Sequence, residues 1–371
     1  MGKTARDIKF MRMALSLALK GEGFTSPNPY VGAILVKGNR VVGKGYHKRA
    51  GSPHAEIVAL NSSGVKAKGS TLYVNLEPCI HYGRTPPCVP EIVKAGIKRV
   101  VIGMIDPNPL VSGKGIEKLK SEGIDTQVGI LEGDAKRVNE IYIKYITKEE
   151  PFVVLKWAMS LDGKIATCTG DSRWISHESS REVVYRMRGK FDAILIGIET
   201  LIKDDPILTT HQKGRKEPKR VIIDSMGRIP LSCKLLKEVE EPVRGGKIIL
   251  ATTHHIKKEK IEELKNRRVE IIFTEEKNRQ VNLKDLMKEL GRRQITSLMV
   301  EGGGEVTASF LKDRLADRVL LFTSPIIIGG RDAKTPVEGE GVKKVAEAIS
   351  IHRLSYRRVG EDIMIEGYIK Y

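Results

Sequence analysis

The chain has 371 residues, 40% of them hydrophobic, with 64 Lys+Arg against 46 Asp+Glu and a formal net charge of +18. That length exceeds one ordinary domain, and no apolar run reaches the 18 or so residues of a membrane span, so two soluble domains and no membrane partner are expected. The positive excess is spread along the chain, 22 Lys+Arg against 12 Asp+Glu in residues 1–147 and 42 against 34 in residues 148–371. No dense basic stripe or interleaved aromatics stand out, which argues against a nucleic-acid partner and suits an anionic small substrate. Four cysteines are too few for a disulfide framework, so a reducing cytoplasm is expected.

Asp7–Lys20 places Ile8, Met11, Leu15, Ala18 and Leu19 on one helical face and predicts a first packed helix rather than a signal peptide. Thr25–Gly32 holds Pro27 and Pro29 around Asn28, a rigid turn that can present the Asn28 amide. Ala33–Lys37 and Arg40–Lys44 predict a hairpin through Gly38-Asn39. His47 follows, as a solvated loop residue or a ligand contact.

Ser52-Pro53-His54-Ala55-Glu56 comes next, and Ser52 as N-cap with Pro53 at the first helical position would put His54 and Glu56 in a first turn. Thr71–Leu76 reads as a strand that delivers Cys79 from a sheet edge. Cys88 follows Pro86-Pro87 and opens the helical run Val89–Ala95, where free N–H groups favour a thiolate. One imidazole and two thiols form a three-ligand set for catalytic zinc, leaving a fourth position for water. His54, Cys79 and Cys88 are therefore the expected metal ligands, and Glu56 the expected proton shuttle. His-x-Glu followed by Pro-Cys and a second Cys is the signature of zinc deaminases. The usual gap between the cysteines is two residues, and here it is eight. That insert, Ile80–Pro87, can wall a pocket, and its His81 and Arg84 can reach a polar substrate.

Lys98–Ile105 predicts a strand and Gly115–Glu122 a helix, so the first half reads as a layered α/β domain over residues 1–147. The charged stretch Lys144–Pro151 separates it from a second domain, residues 148–371. There Phe152–Ser160, Ala193–Gly197, Arg220–Ile223, Lys247–Ala251 and Val269–Phe273 read as strands, Ile198–Lys203 as a helical turn and Leu283–Leu290 as a helix. Ser297–Val300 runs into Glu301-Gly302-Gly303-Gly304 and the helix Val306–Leu311, a turn that lets phosphate approach backbone N–H groups. It is not the Gly-x-Gly-x-x-Gly fingerprint, so a Rossmann domain is not expected.

Asn28-Pro29-x-Val31-Gly32, His54-Ala55-Glu56, the run Glu77–Cys88 and Asp106-Pro107-Asn108-Pro109 resemble the bifunctional deaminase/reductase family of riboflavin biosynthesis, eight-residue gap included. Lys156-x-Ala158-x-Ser160-Leu161-Asp162-Gly163, Asp171-Ser172-x-Trp174-Ile175, Asp204-Asp205-Pro206-x-Leu208-Thr209, Ile223-Asp224-Ser225 and Glu301-Gly302-Gly303 resemble its reductase half. The resemblance implies a cytidine-deaminase-like three-layer α/β/α domain with zinc, followed by a dihydrofolate-reductase-like α/β domain using NADPH. It further implies deamination of a phosphoribosylated diaminopyrimidinone, then reduction of its ribose to a ribityl chain. Ala158, Trp174, Thr200, Asp204, Ser225 and the stretch Gly303, Gly304, Glu305, Val306, Thr307, Ala308 and Ser309 would meet the nucleotide. Ser172, Arg188, Leu208 and Glu301 would meet the substrate, with Lys156 and Glu301 bonding the sugar; Asn28 and His47 would serve the deaminase substrate. Arg188 also suits a phosphate on its own chemistry, through two-pronged guanidinium geometry. His211 stands where the family commonly has Arg; a largely neutral His holds phosphate less well, and Lys213 or Arg215 could compensate. A homo-oligomer is expected.

Overall fold

Val, Ile and Leu crowd short runs of this chain, and most of those runs form strands buried on both faces. The computed structural model describes residues 3–83, 85–212, 214, 216–240 and 246–371. They divide into two units, Met1–Glu149 and Glu150–Tyr371.

The first unit contains, in chain order, α1 (Lys3–Ala18), β1 (Gly32–Lys37), β2 (Arg40–Tyr46), α2 (Ala55–Ser63), β3 (Thr71–Leu76), α3 (Cys88–Lys94), β4 (Arg99–Met104), α4 (Lys114–Ser121), β5 (Asp125–Val128), α5 (Glu132–Val138) and α6 (Glu140–Lys148). Its sheet has the order β2-β1-β3-β4-β5, with β1 antiparallel to both neighbours and β3, β4 and β5 parallel. Glycines let helices lie directly on this sheet. A Cβ on Gly45 would stand 2.6 Å from the Ala59 amide of α2, and one on Gly32 2.6 Å from the Ala18 amide of α1. Gly45 pairs with Ala33, the neighbour of Gly32, so the two helices cover opposite faces. The result is three layers. Asp7 ties α1 down: it accepts two bonds from Arg99, both at 2.9 Å, and one from the Tyr73 hydroxyl at 2.8 Å.

The second unit contains β6 (Phe152–Ser160), α7 (Glu178–Arg188), β7 (Ala193–Gly197), α8 (Ile198–Asp204), β8 (Lys219–Ile223), α9 (Lys234–Glu240), β9 (Ile248–Thr252), α10 (Lys258–Asn266), β10 (Glu270–Phe273), the short β11 (Glu276–Lys277) and β12 (Gln280–Val281), α11 (Leu283–Arg292), β13 (Ser297–Val300), α12 (Gly304–Lys312), β14 (Arg318–Ser324), β15 (Ser350–Val359) and β16 (Asp362–Lys370). The main sheet has the order β10-β9-β8-β7-β13-β6-β14-β16-β15. From β10 to β14 all neighbours are parallel, and β16 and β15 add an antiparallel edge. After β6 the chain steps over one position to β7, runs outward to β10, then returns to fill the gap with β13. The carboxyl ends of β6, β13 and β7 therefore meet at a change of direction, where open α/β sheets place their ligands.

Several sequence expectations are corrected here. Ser52 does not cap α2; its hydroxyl donates to the Arg49 carbonyl at 2.6 Å, closing a loop turn, and His54 takes the N-cap position. β3 is an inner strand, so Cys79 leaves from its carboxyl end and not from a sheet edge. α6 runs through Lys148, so most of the charged stretch Lys144–Pro151 is helix. Leu19 lies beyond α1 and is exposed.

Candidate active sites

The first site lies where α2 and α3 begin. Gly43 and Gly45 of β2 admit α2 against the sheet, which fixes His54 at its N-cap and Glu56 in its first turn. Cys79 and Cys88 are joined by their backbones: the Cys88 and Val89 amides both donate to the Cys79 carbonyl, at 3.1 and 3.2 Å. The eight-residue insert thus closes on itself and returns the second thiol beside the first. His54 Nδ1 stands 3.2 Å from Cys88 Sγ and 3.5 Å from Cys79 Sγ, and all three donor atoms lie within 4.8 Å of one another. A tetrahedral zinc with bonds of about 2.0 Å to N and 2.3 Å to S separates such donors by about 3.5 Å, so the set fits the ion.

Electrostatics match that chemistry. The hydrogen bond from Cys88, outweighing burial and helped by His54, holds the Cys79 thiol down at about 4, while the same bond and burial push the Cys88 thiol up. Burial, opposed by His54, raises the Glu56 carboxyl to about 7, a suitable value for a group that takes up and returns a proton near neutrality.

Neighbouring groups fix these side chains. Thr85 Oγ1 lies 2.8 Å from His54 Nε2. Asn28 Nδ2 lies 3.0 Å from His47 Nε2, whose Nδ1 faces the Pro53 carbonyl at 3.2 Å, and burial lowers the His47 pKa. The Asn28 turn is held by two distant asparagines: Asn75 accepts from the Gly32 amide at 2.8 Å, and Asn139 accepts from the Tyr30 amide at 2.8 Å. Glu77 is buried and accepts from the Asp106, Gly113, Gly115 and Ile116 amides at 2.9 to 3.2 Å, which anchors the chain just before Cys79. The sequence reading assigned no role to Thr85, Glu77, Asn75 or Asn139. Glu77 and Thr85 stand in the run that carries the family resemblance, whereas Asn75 and Asn139 signal themselves only as polar side chains inside or beside apolar runs. Of the insert residues expected to reach substrate, His81 is described and Arg84 lies outside the described residues.

The second site is a cleft of about 1850 Å³ in the second unit. Lys156 and Ala158 from β6, Thr200 and Asp204 from α8, and Glu301 after β13 line it, as do Ser172, Trp174, Arg188, Leu208, His211 and Ser225. So do Gly303, Gly304, Glu305, Val306, Ala308 and Ser309 at the start of α12. Thr307 does not: the helical period turns it into the core, where its hydroxyl donates to the Gly303 carbonyl at 3.2 Å. The glycines differ. A Cβ on Gly303 would meet only Thr200 Oγ1, at 3.8 Å, whereas one on Gly304 would press on Glu338 Cγ and the Thr335 carbonyl, both at 2.5 Å. Gly303 is thus the open point at which a phosphate group can approach the backbone, and on this ground the cleft fits a dinucleotide.

Arg188 is turned inward. Its Nε and Nη2 donate to Glu301 at 2.8 and 3.1 Å, and its Nη1 donates to the Thr209 carbonyl at 3.0 Å. The two-pronged face that suits phosphate is therefore spent on Glu301. Lys156 Nζ is 3.5 Å from the same carboxylate. Burial alone would raise the Glu301 pKa; Arg188 and then Lys156 outweigh it and hold the carboxyl at about 2. His211 is exposed, in the left-handed region at φ 52°, with its ring 4.4 Å from that of Tyr185. Lys213 and Arg215 lie outside the described residues.

Residues 4–104 match the cytidine and deoxycytidylate deaminase zinc-binding region, and residues 151–365 match the RibD C-terminal domain. The riboflavin biosynthesis protein RibD of Aquifex aeolicus is 44% identical over 360 residues, 97% of each chain. The chain belongs to the RibD family. Two solved RibD-family structures are similar over the full length of both chains: RibD of Acinetobacter baumannii at a TM-score of 0.88 and 34% identity, and a diaminohydroxyphosphoribosylaminopyrimidine deaminase/5-amino-6-(5-phosphoribosylamino)uracil reductase of Thermotoga maritima at 0.86 and 35%. As a RibD-family protein it is a bifunctional deaminase and reductase of riboflavin biosynthesis that uses zinc and NADPH. No helix among the described residues is long and apolar enough to cross a membrane.

Proposed function

We propose that the first site hydrolytically deaminates 2,5-diamino-6-ribosylamino-4(3H)-pyrimidinone 5′-phosphate and that the second reduces the ribosyl chain of the product, 5-amino-6-(5-phosphoribosylamino)uracil. The observation that carries the first step is the convergence of His54, Cys79 and Cys88 beside buried Glu56. His54, Cys79 and Cys88 hold zinc, which when bound makes water a nucleophile at neutral pH. Glu56 would take a proton from the water as its oxygen bonds to the amino-bearing ring carbon and pass it to the amino nitrogen, whose bond to that carbon then breaks to release ammonia. Asn28 and His47 orient the pyrimidine, and the Ile80–Pro87 insert selects the phosphorylated ribosyl substituent.

In the cleft NADPH supplies the hydride. Gly303 and the amino end of α12 receive its diphosphate, with Thr200, Trp174, Asp204, Ser225 and Ala158 along its length. Lys156 and Glu301 hydrogen-bond the sugar whose carbon accepts hydride, and Arg188 holds Glu301 ionised in place. Ser172, Leu208 and His211 complete the substrate end. The unpaired cysteines fit a reducing cytoplasm. The outer strand β15, with Leu354 and Tyr356 exposed, offers a surface for a homo-oligomer. The test is turnover by the purified chain of the phosphorylated ribosylaminopyrimidine against cytidine. Strong preference for the former is expected, and comparable turnover of cytidine would remove the selective role of the insert.

A further inference from the structure

We propose that Arg279 binds the phosphate on the 2′-carbon of the cofactor's adenosine ribose and so sets the preference for NADPH over NADH. The inference rests on the cofactor placement proposed above.

β11 and β12 form a two-residue hairpin through Asn278 and Arg279, both left-handed at φ 54° and 60°. Such turns favour Asn then Gly, because glycine adopts the second position without steric cost. Asn278 follows that preference and Arg279 does not. A long cation is thus held where the backbone favours glycine, and Arg279 is among the residues that line the cleft.

Three other cations that line the cleft are already engaged. Lys277 pairs with Asp313 at 2.6 Å, Arg228 with Glu199 at 2.6 Å, and Lys312 with Glu340 at 3.3 Å. Arg279 has no ion-pair or hydrogen-bond partner among the described residues. The pairing of Lys277 also neutralises Asp313, a nearby carboxylate that would otherwise repel an anion.

Topology identifies which phosphate lies within its reach. The reacting end of the cleft is at Lys156 and Glu301, on β6 and after β13, and the glycine turn leads from β13 into α12. The sheet order β8-β7-β13-β6 places the loop after β8 two strands beyond β13, away from the reacting end and about 10 Å from it at ordinary strand spacing. That is the adenosine end of a dinucleotide laid across the turn. The hairpin is pinned there: the Val281 amide donates to Ser225 Oγ at 3.0 Å, and Thr253 Oγ1 donates to the Ser225 carbonyl at 2.7 Å. A guanidinium in that place gives charge-assisted, two-pronged bonds to a phosphate monoester that NADH lacks.

The test measures dissociation constants of NADPH and NADH by cofactor fluorescence on full-length wild type, Arg279→Ala and Gly303→Val, without substrate, together with the KM of the phosphorylated substrate at saturating NADPH. Arg279→Ala should weaken NADPH roughly 10- to 100-fold, the usual worth of hydrogen bonds to a charged group, and leave NADH within about twofold. Equal weakening of both cofactors, or of neither, would overturn the proposal. A raised substrate KM with unchanged cofactor affinity would assign Arg279 to the substrate phosphate and overturn it too. Gly303→Val should weaken both cofactors alike; if it weakens neither, the cofactor placement itself falls, and the role of Arg279 with it.

Discussion

Thr85 Oγ1 stands 2.8 Å from His54 Nε2, and the other ring nitrogen, Nδ1, faces the thiols of Cys79 and Cys88. An Nε2–H donated to Thr85 leaves the Nδ1 lone pair for metal and fixes the ring plane. The insert between the cysteines therefore carries a partner for the third ligand. Thr85→Val keeps the shape and removes the acceptor. Zinc affinity should fall about 10- to 100-fold, the usual cost of losing such a partner, as measured by competition with a chromogenic chelator. Unchanged affinity would mean that α2 alone orients His54.

Arg188 and Glu301 form a largely buried pair at the wall of the cleft, and its worth depends on pH. The Glu301 carboxyl is held at about 2, below its ordinary 4.5. A depressed carboxyl contributes stability that is fully present above the ordinary value and is lost as pH falls through the depressed one. Unfolding of wild type should therefore show a loss of stability between pH 4.5 and pH 2 to which this pair contributes. Arg188→Met leaves a buried carboxylate short of its main partner and should cost about 3–5 kcal/mol at neutral pH, with less cost in acid. Equal stability of variant and wild type across pH, followed by denaturant unfolding, would contradict the pairing.

The glycine turn makes a graded prediction. Gly304 lies under Glu338 and Thr335, with no room for a Cβ, whereas a Cβ on Gly303 would make only an ordinary contact with Thr200 Oγ1, at 3.8 Å. Gly304→Ala should lower the melting temperature of the second unit, and Gly303→Ala should leave it near wild type. Calorimetry that ranks the two the other way would show that the 335–339 segment does not rest on Gly304.

Much of this was legible because the chemistry is local. His54 and Glu56 are two residues apart, and Cys79 and Cys88 flank a Pro-rich turn that cannot continue a strand. β1, β4, β7, β9 and β13 announce themselves as short, mostly apolar runs, whereas β5, Asp125-Thr126-Gln127-Val128, carries no such pattern. The supports are not local. Glu77 meets amides 29 to 39 residues away, Asn139 meets Tyr30 across 109, and Arg188 meets Glu301 across 113. Nothing in a short window distinguishes such side chains from surface polar residues, so Arg188 read as a free phosphate clamp. β15 went unread for a different reason. It is exposed on both faces along nearly its whole length, so its sequence lacks the alternation that marks a half-buried strand.

The central claim is that one chain carries two separate sites, and Glu56→Gln tests it most directly. The purified variant should retain its zinc and lose deamination of the phosphoribosylated diaminopyrimidinone by roughly two to four orders of magnitude, the usual worth of a positioned proton carrier. With NADPH and already deaminated substrate, it should reduce at the wild-type rate. Equal loss of both activities, with zinc and fold intact, would contradict the account of two independent sites.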